Sequence, residues 1–288
     1  MEWHQVTERT GYFYTDFVSI PVYHLTEDQI VLIDSGYYES EALVTAIKEN
    51  GLAVRAVLNT HLHIDHVFAN PELQKLFGCS IFADRREQPY VEAIREFSKK
   101  MGAGKSKTLD DFVRSLEFEI TYIEPGTAFV TVDGAQFEIV QLPGHSAGHI
   151  GFITPDNVFC PGDALISENR LPYSKLPYYE NMGEAIATFD ILKEIKCDKC
   201  IIAHNDAIDG SELGKAAEAN KAKELGIEQM IIDNFVPDDS EDLDTHDLNE
   251  AAKIADLLHI STKGEDRMWI NNSVRDRIRY LRSLGKLR

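Results

Sequence analysis

The chain is poor in basic residues: 29 Lys and Arg stand against 48 Asp and Glu, a formal net charge of −19 over 288 residues. Phosphate backbones are bound by surfaces basic enough to release their counterions, so nucleic acid is not expected as a general partner. Long apolar runs are missing too. No stretch approaches the roughly 20 apolar residues of a bilayer span, so no membrane association is expected. The opening Met1-Glu2-Trp3-His4-Gln5-Val6 has neither a basic n-region nor an apolar h-region, so no signal peptide is expected, and a cytoplasmic location is. Cysteine is scarce, with Cys79, Cys160, Cys197 and Cys200 alone. A chain of this length builds its own core, and these four do not read as a disulfide framework. Cys79 and Cys160 sit in apolar, strand-like surroundings and read as buried thiols. Cys197-Asp198-Lys199-Cys200 is a single CxxC with no second pair, which favours two unrelated cysteines over a redox pair or half a zinc site.

What remains is ordinary for a globular protein, with 43% hydrophobic and 27% charged residues. The length suits one large domain with or without an appendage. Phe17 to Leu25 and Ile30 to Ile33 read as a hairpin around Thr26-Glu27-Asp28-Gln29. Glu39 to Asn50 has helical periodicity, stopped by Gly51, and Ala53 to Leu58 reads as a strand. Asn70 to Phe77 predicts a helix capped by Asn70 with Pro71 at its first position, ended by Gly78 before a strand from Cys79 to Ala83. Arg85 to Leu116 is a polar, helical insertion broken at Gly102-Ala103-Gly104-Lys105, equally readable as a pocket cover or a solvated excursion. Strands are predicted over Glu117 to Tyr122, Ala128 to Val132, Phe137 to Leu142, His149 to Thr154, Asn157 to Cys160 and Lys199 to Ala203, with Asp133-Gly134 as a hairpin turn and Glu184 to Ile195 as a helix. Two clusters of strands in mixed order predict an α/β fold of two packed sheets with helices outside. The acidic stretch Pro237-Asp238-Asp239-Ser240-Glu241-Asp242 is a candidate linker. It divides a main domain, 1–236, from a helical appendage, 237–288, with helices over Leu248 to Leu258 and Val274 to Leu284.

The chemistry concentrates where strands end. His61, His63, Asp65 and His66 fall within six positions directly after the strand ending at Leu58. Such strand ends are where α/β folds place sites, and His61 and His63, two apart, share a direction on extended backbone. Imidazole nitrogen suits zinc, manganese and iron, and a carboxylate adds charge for a second ion. His145, Asp163 and His204 recur the same way, each in a Gly-, Pro- or polar-rich turn after an apolar strand.

Five motifs in order carry a family resemblance: Leu32-Ile33-Asp34-Ser35-Gly36, Asn59-Thr60-His61-Leu62-His63-Ile64-Asp65-His66, Pro143-Gly144-His145-Ser146-Ala147-Gly148-His149, Gly162-Asp163 and Ala203-His204. The sequence resembles the metallo-β-lactamase superfamily over about residues 12 to 206. The resemblance implies an αββα sandwich with metals at one edge of its sheets. It implies that His61, His63 and His145 bind a first ion, that Asp65, His66 and His204 bind a second, that Asp163 bridges both, and that Asp34 orients the site from behind. Asp65 and Asp163 are the implied catalytic carboxylates, and His149 is expected to make a structural hydrogen bond. His63 stands where the family's oxygen-reducing diiron branch carries glutamate, which points to hydrolysis. The expected cofactors are two divalent ions, zinc first, with iron or manganese as alternatives.

The expected activity is hydrolysis of a small-molecule ester, thioester or lactone by metal-bound hydroxide. A nuclease or phosphodiesterase of the same fold, and a non-catalytic metal-binding or regulatory protein, are the alternatives. Val67-Phe68-Ala69-Asn70 departs from the small, Gly-rich sequence of glyoxalase II-like enzymes and is expected to narrow the site. No glutathione-recognition motif maps to the appendage. Asn169, Arg170, Tyr173, Tyr178 and Tyr179 form a candidate substrate-contacting loop. The C-terminal segment weakly resembles a winged helix without its wing, and its helix through Ile278, Leu281 and Leu284 is expected to pack internally or in a homodimer.

Overall fold

The computed structural model describes the chain except residues 16, 17, 39, 102–106, 205, 206, 238–242, 259–264 and 288. A seven-stranded sheet runs in chain order: β1 (Glu2–Gln5), β2 (Thr10–Tyr14), β3 (Ser19–His24), β4 (Gln29–Ile33), β5 (Ala53–Leu58), β6 (Ser80–Asp84) and β7 (Thr121–Ile123). A six-stranded sheet adds β8 (Phe129–Val132), β9 (Ala135–Gln141), β10 (Ile150–Ile153), β11 (Val158–Cys160), β12 (Lys199–Ile201) and β13 (Ala207–Asp209), in the spatial order β13-β12-β11-β10-β9-β8. The helices are α1 (Ser40–Glu49), α2 (Ile64–Val67), α3 (Asn70–Phe77), α4 (Gln88–Met101), α5 (Lys107–Ser115), α6 (Met182–Glu194), α7 (Leu213–Asn234), α8 (Leu243–Leu257) and α9 (Glu265–Ser283).

Alternation along the strands makes the layers. In β4, Ile30 and Leu32 pack toward α1 and α3, while Val31 and Ile33 face the second sheet. In the second sheet Phe137, Ile139, Ile150 and Phe152 meet them, and Val140 and Cys200 turn outward to α6 and α7. Both faces of each sheet are therefore covered, in the order helix, sheet, sheet, helix, the α/β sandwich expected. A fourth cluster joins Ile227 and Ile231 of α7 to Ala251 and Ile254 of α8 and Val274, Ile278 and Leu281 of α9.

Several expectations are met residue for residue. β5 spans Ala53–Leu58, and the β3–β4 pair is antiparallel. Asp133 and Gly134 both have positive φ, 47° and 88°, in a two-residue turn closed by Val132 opposite Ala135. Gly78, at φ 63°, ends α3 with its N–H on the Gln74 carbonyl. Cys79, Cys160 and Cys200 are buried, Cys197 is half-buried, and all four are free thiols.

Others are corrected. Ala69, not Asn70, precedes the first turn of α3; Asn70 is buried and donates from Nδ2 to Asn59 Oδ1 at 2.8 Å. Of Glu117 to Tyr122 only Thr121 and Tyr122 pair in a strand, although Phe118 and Ile120 pack into the core beside the unpaired stretch. The 22-residue α7 and the strands β1, β2 and β13 lie where no element was anticipated. Among the described residues no strand follows β13. The Gly102 to Lys105 break lies outside the described residues, as does the candidate linker apart from Pro237. No described helix is long and apolar enough to cross a membrane.

Candidate metal centre

The topology carries the seven implied ligands to one edge. β4, β5 and β6 are parallel, so Asp34, the His61 to His66 run and Glu87 follow their carboxyl ends on the same side. In the second sheet β9 and β11 both run antiparallel to β10, and β12 runs parallel to β11. His145, Asp163 and His204 follow those three strands and meet the first set across the sandwich. The sheets are pinned there by Ile150 N–H on the Thr60 carbonyl, 2.9 Å, and Ser19 N–H on the Ala203 carbonyl, 2.6 Å.

Two groups of donor atoms form. In one, single nitrogens of His61, His63 and His145 lie within 4.8 Å of one another. In the other, Asp65, His66, Asp163 and His204 do the same. Asp163 stands between them: Oδ2 is 3.5 Å from His145 Nε2, and Oδ1 is 3.2 Å from both His66 Nε2 and His204 Nε2. Asp65 Oδ2 is 3.6 Å from His204 Nε2 and 3.8 Å from His66 Nε2.

The two groups differ in charge. Burial, then the neighbouring histidines, holds His61 well below its ordinary value, and burial brings His63 and His145 down to about 4. All three are neutral bases. Burial opposes charge on His66 and His204 as well, but Asp163, with Asp65 and for His66 also Asp34, outweighs it and raises both. Burial likewise works against ionised Asp163, and the His204 and His66 charges overcome it and hold its carboxyl well below the usual range.

The residues fit metal ions on their own geometry. His61 Nε2, His66 Nε2 and Asp163 Oδ1 are buried without a hydrogen-bond partner, which protein interiors rarely allow. His63 Nδ1 and His145 Nε2 face each other at 2.9 Å. His145 Nδ1 lies 3.0 Å from the Tyr178 carbonyl, which can only accept, so the proton sits on Nδ1 and Nε2 presents a lone pair.

Asp34 serves both groups. It is buried at φ 63°, in the left-handed region, a strain of about 1–2 kcal/mol. The preceding Ile30, Val31, Leu32 and Ile33 are 0–1% exposed, and each contributes about 1.5–3 kcal/mol, so the strand easily carries that strain. Asp34 Oδ2 accepts from His66 Nδ1 and from Thr60 Oγ1, both at 2.8 Å, and Oδ1 accepts from Thr60 N–H at 2.8 Å. Thr60 Oγ1, its proton given to Asp34, accepts from His61 Nδ1 at 3.0 Å. One carboxylate thereby aims His66 directly and His61 through a hydroxyl. His149 Nε2 accepts the Asp163 N–H at 3.1 Å, the structural bond expected of it.

Glu87, which no sequence motif singled out, ties the two ligand loops together. It is 2% exposed; Oε2 accepts Leu62 N–H at 3.1 Å, and Oε1 accepts Ser146 Oγ at 2.7 Å and Gly148 N–H at 2.8 Å. A Cβ on Gly148 would meet Glu87 at 2.8 Å, so the approach requires glycine. Glu87 opens the insertion, and Tyr90 on the first turn of α4 stands 5.4 Å from the His63 ring, so this end of the insertion borders the site.

A cavity of about 200 Å³ opens beside His145, Asp163 and His204. Arg170, Tyr178 and Tyr179 of the candidate loop line it; Asn169 and Tyr173 do not, and Tyr173 is 82% exposed. A larger groove, about 780 Å³, lies at the opposite ends of the strands around Gln29, Asp133 and Asn157, away from both donor groups. Val67 does not narrow the site: it is wholly buried in the core. Phe68 instead stacks its edge on Tyr38 at 4.8 Å and Tyr37 at 5.9 Å.

Comparison with known proteins agrees with this architecture. Over 141 residues the chain is 34% identical to hydroxyacylglutathione hydrolase GloC of Haemophilus influenzae, a match covering 48% of this chain and 62% of that protein. The chain thus spans less than two thirds of that relative's length. A beta-lactamase domain protein from Burkholderia ambifaria superposes with a TM-score of 0.70 at 15% identity, covering 99% of this chain and 88% of that one. A metallo-beta-lactamase family protein from Thermus thermophilus gives 0.67 at 18% identity, covering 93% and 89%. At these identities the superpositions speak for the fold alone. Residues 15–204, from the end of β2 to the last histidine of the donor set, match the model of the family described as the metallo-beta-lactamase superfamily, and the chain belongs to it.

Proposed function

We propose that the chain is a dinuclear metal-dependent hydrolase acting on a small-molecule thioester, with His61, His63 and His145 holding one ion, Asp65, His66 and His204 the other, and Asp163 shared. The observation that carries this reading is the pair of donor groups meeting at Asp163, with His61 Nε2, His66 Nε2 and Asp163 Oδ1 buried and without a hydrogen-bond partner. Similarity to a hydroxyacylglutathione hydrolase supports the thioester as substrate class. The metals, zinc foremost, would supply water ionised near neutral pH and positive charge for a developing oxyanion. The chain's own residues do the rest. Asp34 and the Tyr178 carbonyl hold the imidazole protons away from the centre. Asp163 and Asp65 offset the positive charge. Leu165, Leu176 and Tyr179 give the adjoining cavity apolar walls that exclude water from a small acyl group, and Arg170 adds a permanent positive charge to its lining. We take residues 1–236 as the catalytic unit and 237–288 as an appendage docked on α7.

Elemental analysis of protein purified without chelator is expected to give close to two transition-metal ions per chain. A panel of thioesters, p-nitrophenyl esters, lactones and bis-p-nitrophenyl phosphate is expected to show thioester cleavage by release of free thiol. Absence of bound metal after reconstitution would overturn the reading, and preferential turnover of the phosphodiester would move it to the nuclease class.

A further inference from the structure

Arg277 lies on α9, far outside the span shared with the family, yet it is wholly buried. Burying a guanidinium is costly unless every donor is met. Here the five N–H groups find five bonds. Nε and Nη2 donate to Glu224 Oε2 on α7 at 3.2 and 2.8 Å, and Nη1 donates to the carbonyl and hydroxyl of Ser273 at 3.1 and 2.7 Å. Nη2 donates also to the Pro177 carbonyl at 2.6 Å. The guanidinium carbon is 5.9 Å from the centre of the Tyr179 ring.

The bond to Pro177 gives the arrangement its reach. The next carbonyl along the chain, Tyr178, is the acceptor for His145 Nδ1. Beyond it, Glu180 Oε2 accepts Ala147 N–H at 3.1 Å, and Asn181 N–H donates to the Gly144 carbonyl at 3.0 Å. Residues 177–181 thus splint the turn that carries His145, and Arg277 grips one end of the splint.

We propose that Arg277 is a positioning residue for His145: by fixing the Pro177–Tyr178 peptide it keeps the Tyr178 carbonyl aimed at Nδ1, so that His145 holds the tautomer with Nε2 unprotonated and facing His63 Nδ1. Its consequence for metal binding rests on the ligand set proposed above; its effect on the tautomer does not. The C-terminal helix then tunes the site from outside the family's shared fold.

The test reads both effects. In metal-free protein labelled with ¹⁵N-histidine, long-range proton–nitrogen correlations report the tautomer of His145, and the wild type is expected to show Nδ1–H. Arg277→Lys keeps the charge but cannot span Glu224, Ser273 and Pro177 with one ammonium. It is expected to populate the Nε2–H tautomer and to weaken cobalt(II) binding at the three-histidine group by about tenfold or more, with a changed visible spectrum. Arg282→Gln serves as the comparison, because it breaks the 3.0 Å pair of α9 with Asp247 away from the splint. It is expected to lower Tm and move neither readout. Should Arg277→Lys not fold, Ser273→Ala loosens the same fork and is expected to weaken cobalt binding about fivefold. A wild-type tautomer and wild-type cobalt affinity in Arg277→Lys, or in Ser273→Ala where that variant replaces it, would overturn the proposal, as would equal changes in Arg282→Gln. Failure of the wild type to bind metal would instead overturn the hydrolase reading and leave the tautomer test standing.

Discussion

The two donor groups of the centre are built from the same kinds of side chain and solve opposite electrostatic problems. The group of His61, His63 and His145 is three imidazoles, kept neutral chiefly by burial. The group of Asp65, His66, Asp163 and His204 mixes carboxylates with imidazoles, and the carboxylates raise the pKa of both histidines against the effect of burial. A cation entering the first group meets neutral imidazoles and replaces the hydrogen bond between His63 Nδ1 and His145 Nε2. A cation entering the second competes with protons that are held more tightly than in the first, and gains two negative charges in exchange. The comparison teaches that preorganisation and charge are divided between the halves, with Asp163 and Asp34 belonging to both.

Removing a shared member should test that division hardest. Asp163→Ala is expected to cut turnover by more than about 100-fold, beyond what an outer partner usually costs, and to leave one ion or fewer per chain by elemental analysis. Two ions retained with near-normal turnover would show that Asp163 is not shared. Asp34→Asn should act on both halves, since it replaces the acceptor used by His66 and, through Thr60, by His61. Metal affinity is expected to fall about 10–100-fold in both groups by competition with a chelator; a loss confined to one group would deny Thr60 its relay. Glu87→Gln leaves the ligands in place but weakens the joint between their loops. It is expected to cost about 2–3 kcal/mol in denaturant unfolding of the metal-free protein, because a charged acceptor for three donors is lost. An unchanged midpoint would mean that the loops are held independently.

The smallest effect is expected from mild acidification. His66 and His204 have raised pKa values, so protons compete for the second group as pH falls from neutral, whereas His63 and His145 stay unprotonated down to about 4. Elemental analysis after dialysis at stepwise lower pH is expected to show one ion leaving before the other, with His61, His63 and His145 retaining theirs longer. Loss of both together would erase the distinction between the halves.

How legible these halves were in the sequence follows from how local their signals are. His61 to His66 announce themselves within one turn of chain, and β5 before them has apolar residues and β-branching enough to fix its ends. His145, Asp163 and His204 were readable because each follows a strand and matches a motif. Glu87 was not: its partners Leu62, Ser146 and Gly148 are remote in sequence, and a glutamate in a charged stretch looks solvated. The same cause hid α7, whose buried face includes Asn220, Glu224 and Glu228, so apolar periodicity fails where polar residues find partners inside. Asn70 looked like a cap because asparagine usually is one, but its side chain was claimed by Asn59. Phe118 and Ile120 alternate as a strand does and are used for packing without pairing. Val67 was misjudged for want of a face: one position along a short helix decides between core and site.

The clustering of four donors in six residues also matters before there is a fold. A denatured chain keeps His61, His63, Asp65 and His66 together, while His145, Asp163 and His204 arrive only once both sheets have formed. If the donor groups hold metal as proposed, ions would bind the unfolded protein too, and metal would raise the melting temperature by less than its affinity for the finished site implies. On the same proposal, the local cluster would give a refolding chain a place to hold its first ion while the second sheet is still being assembled around it.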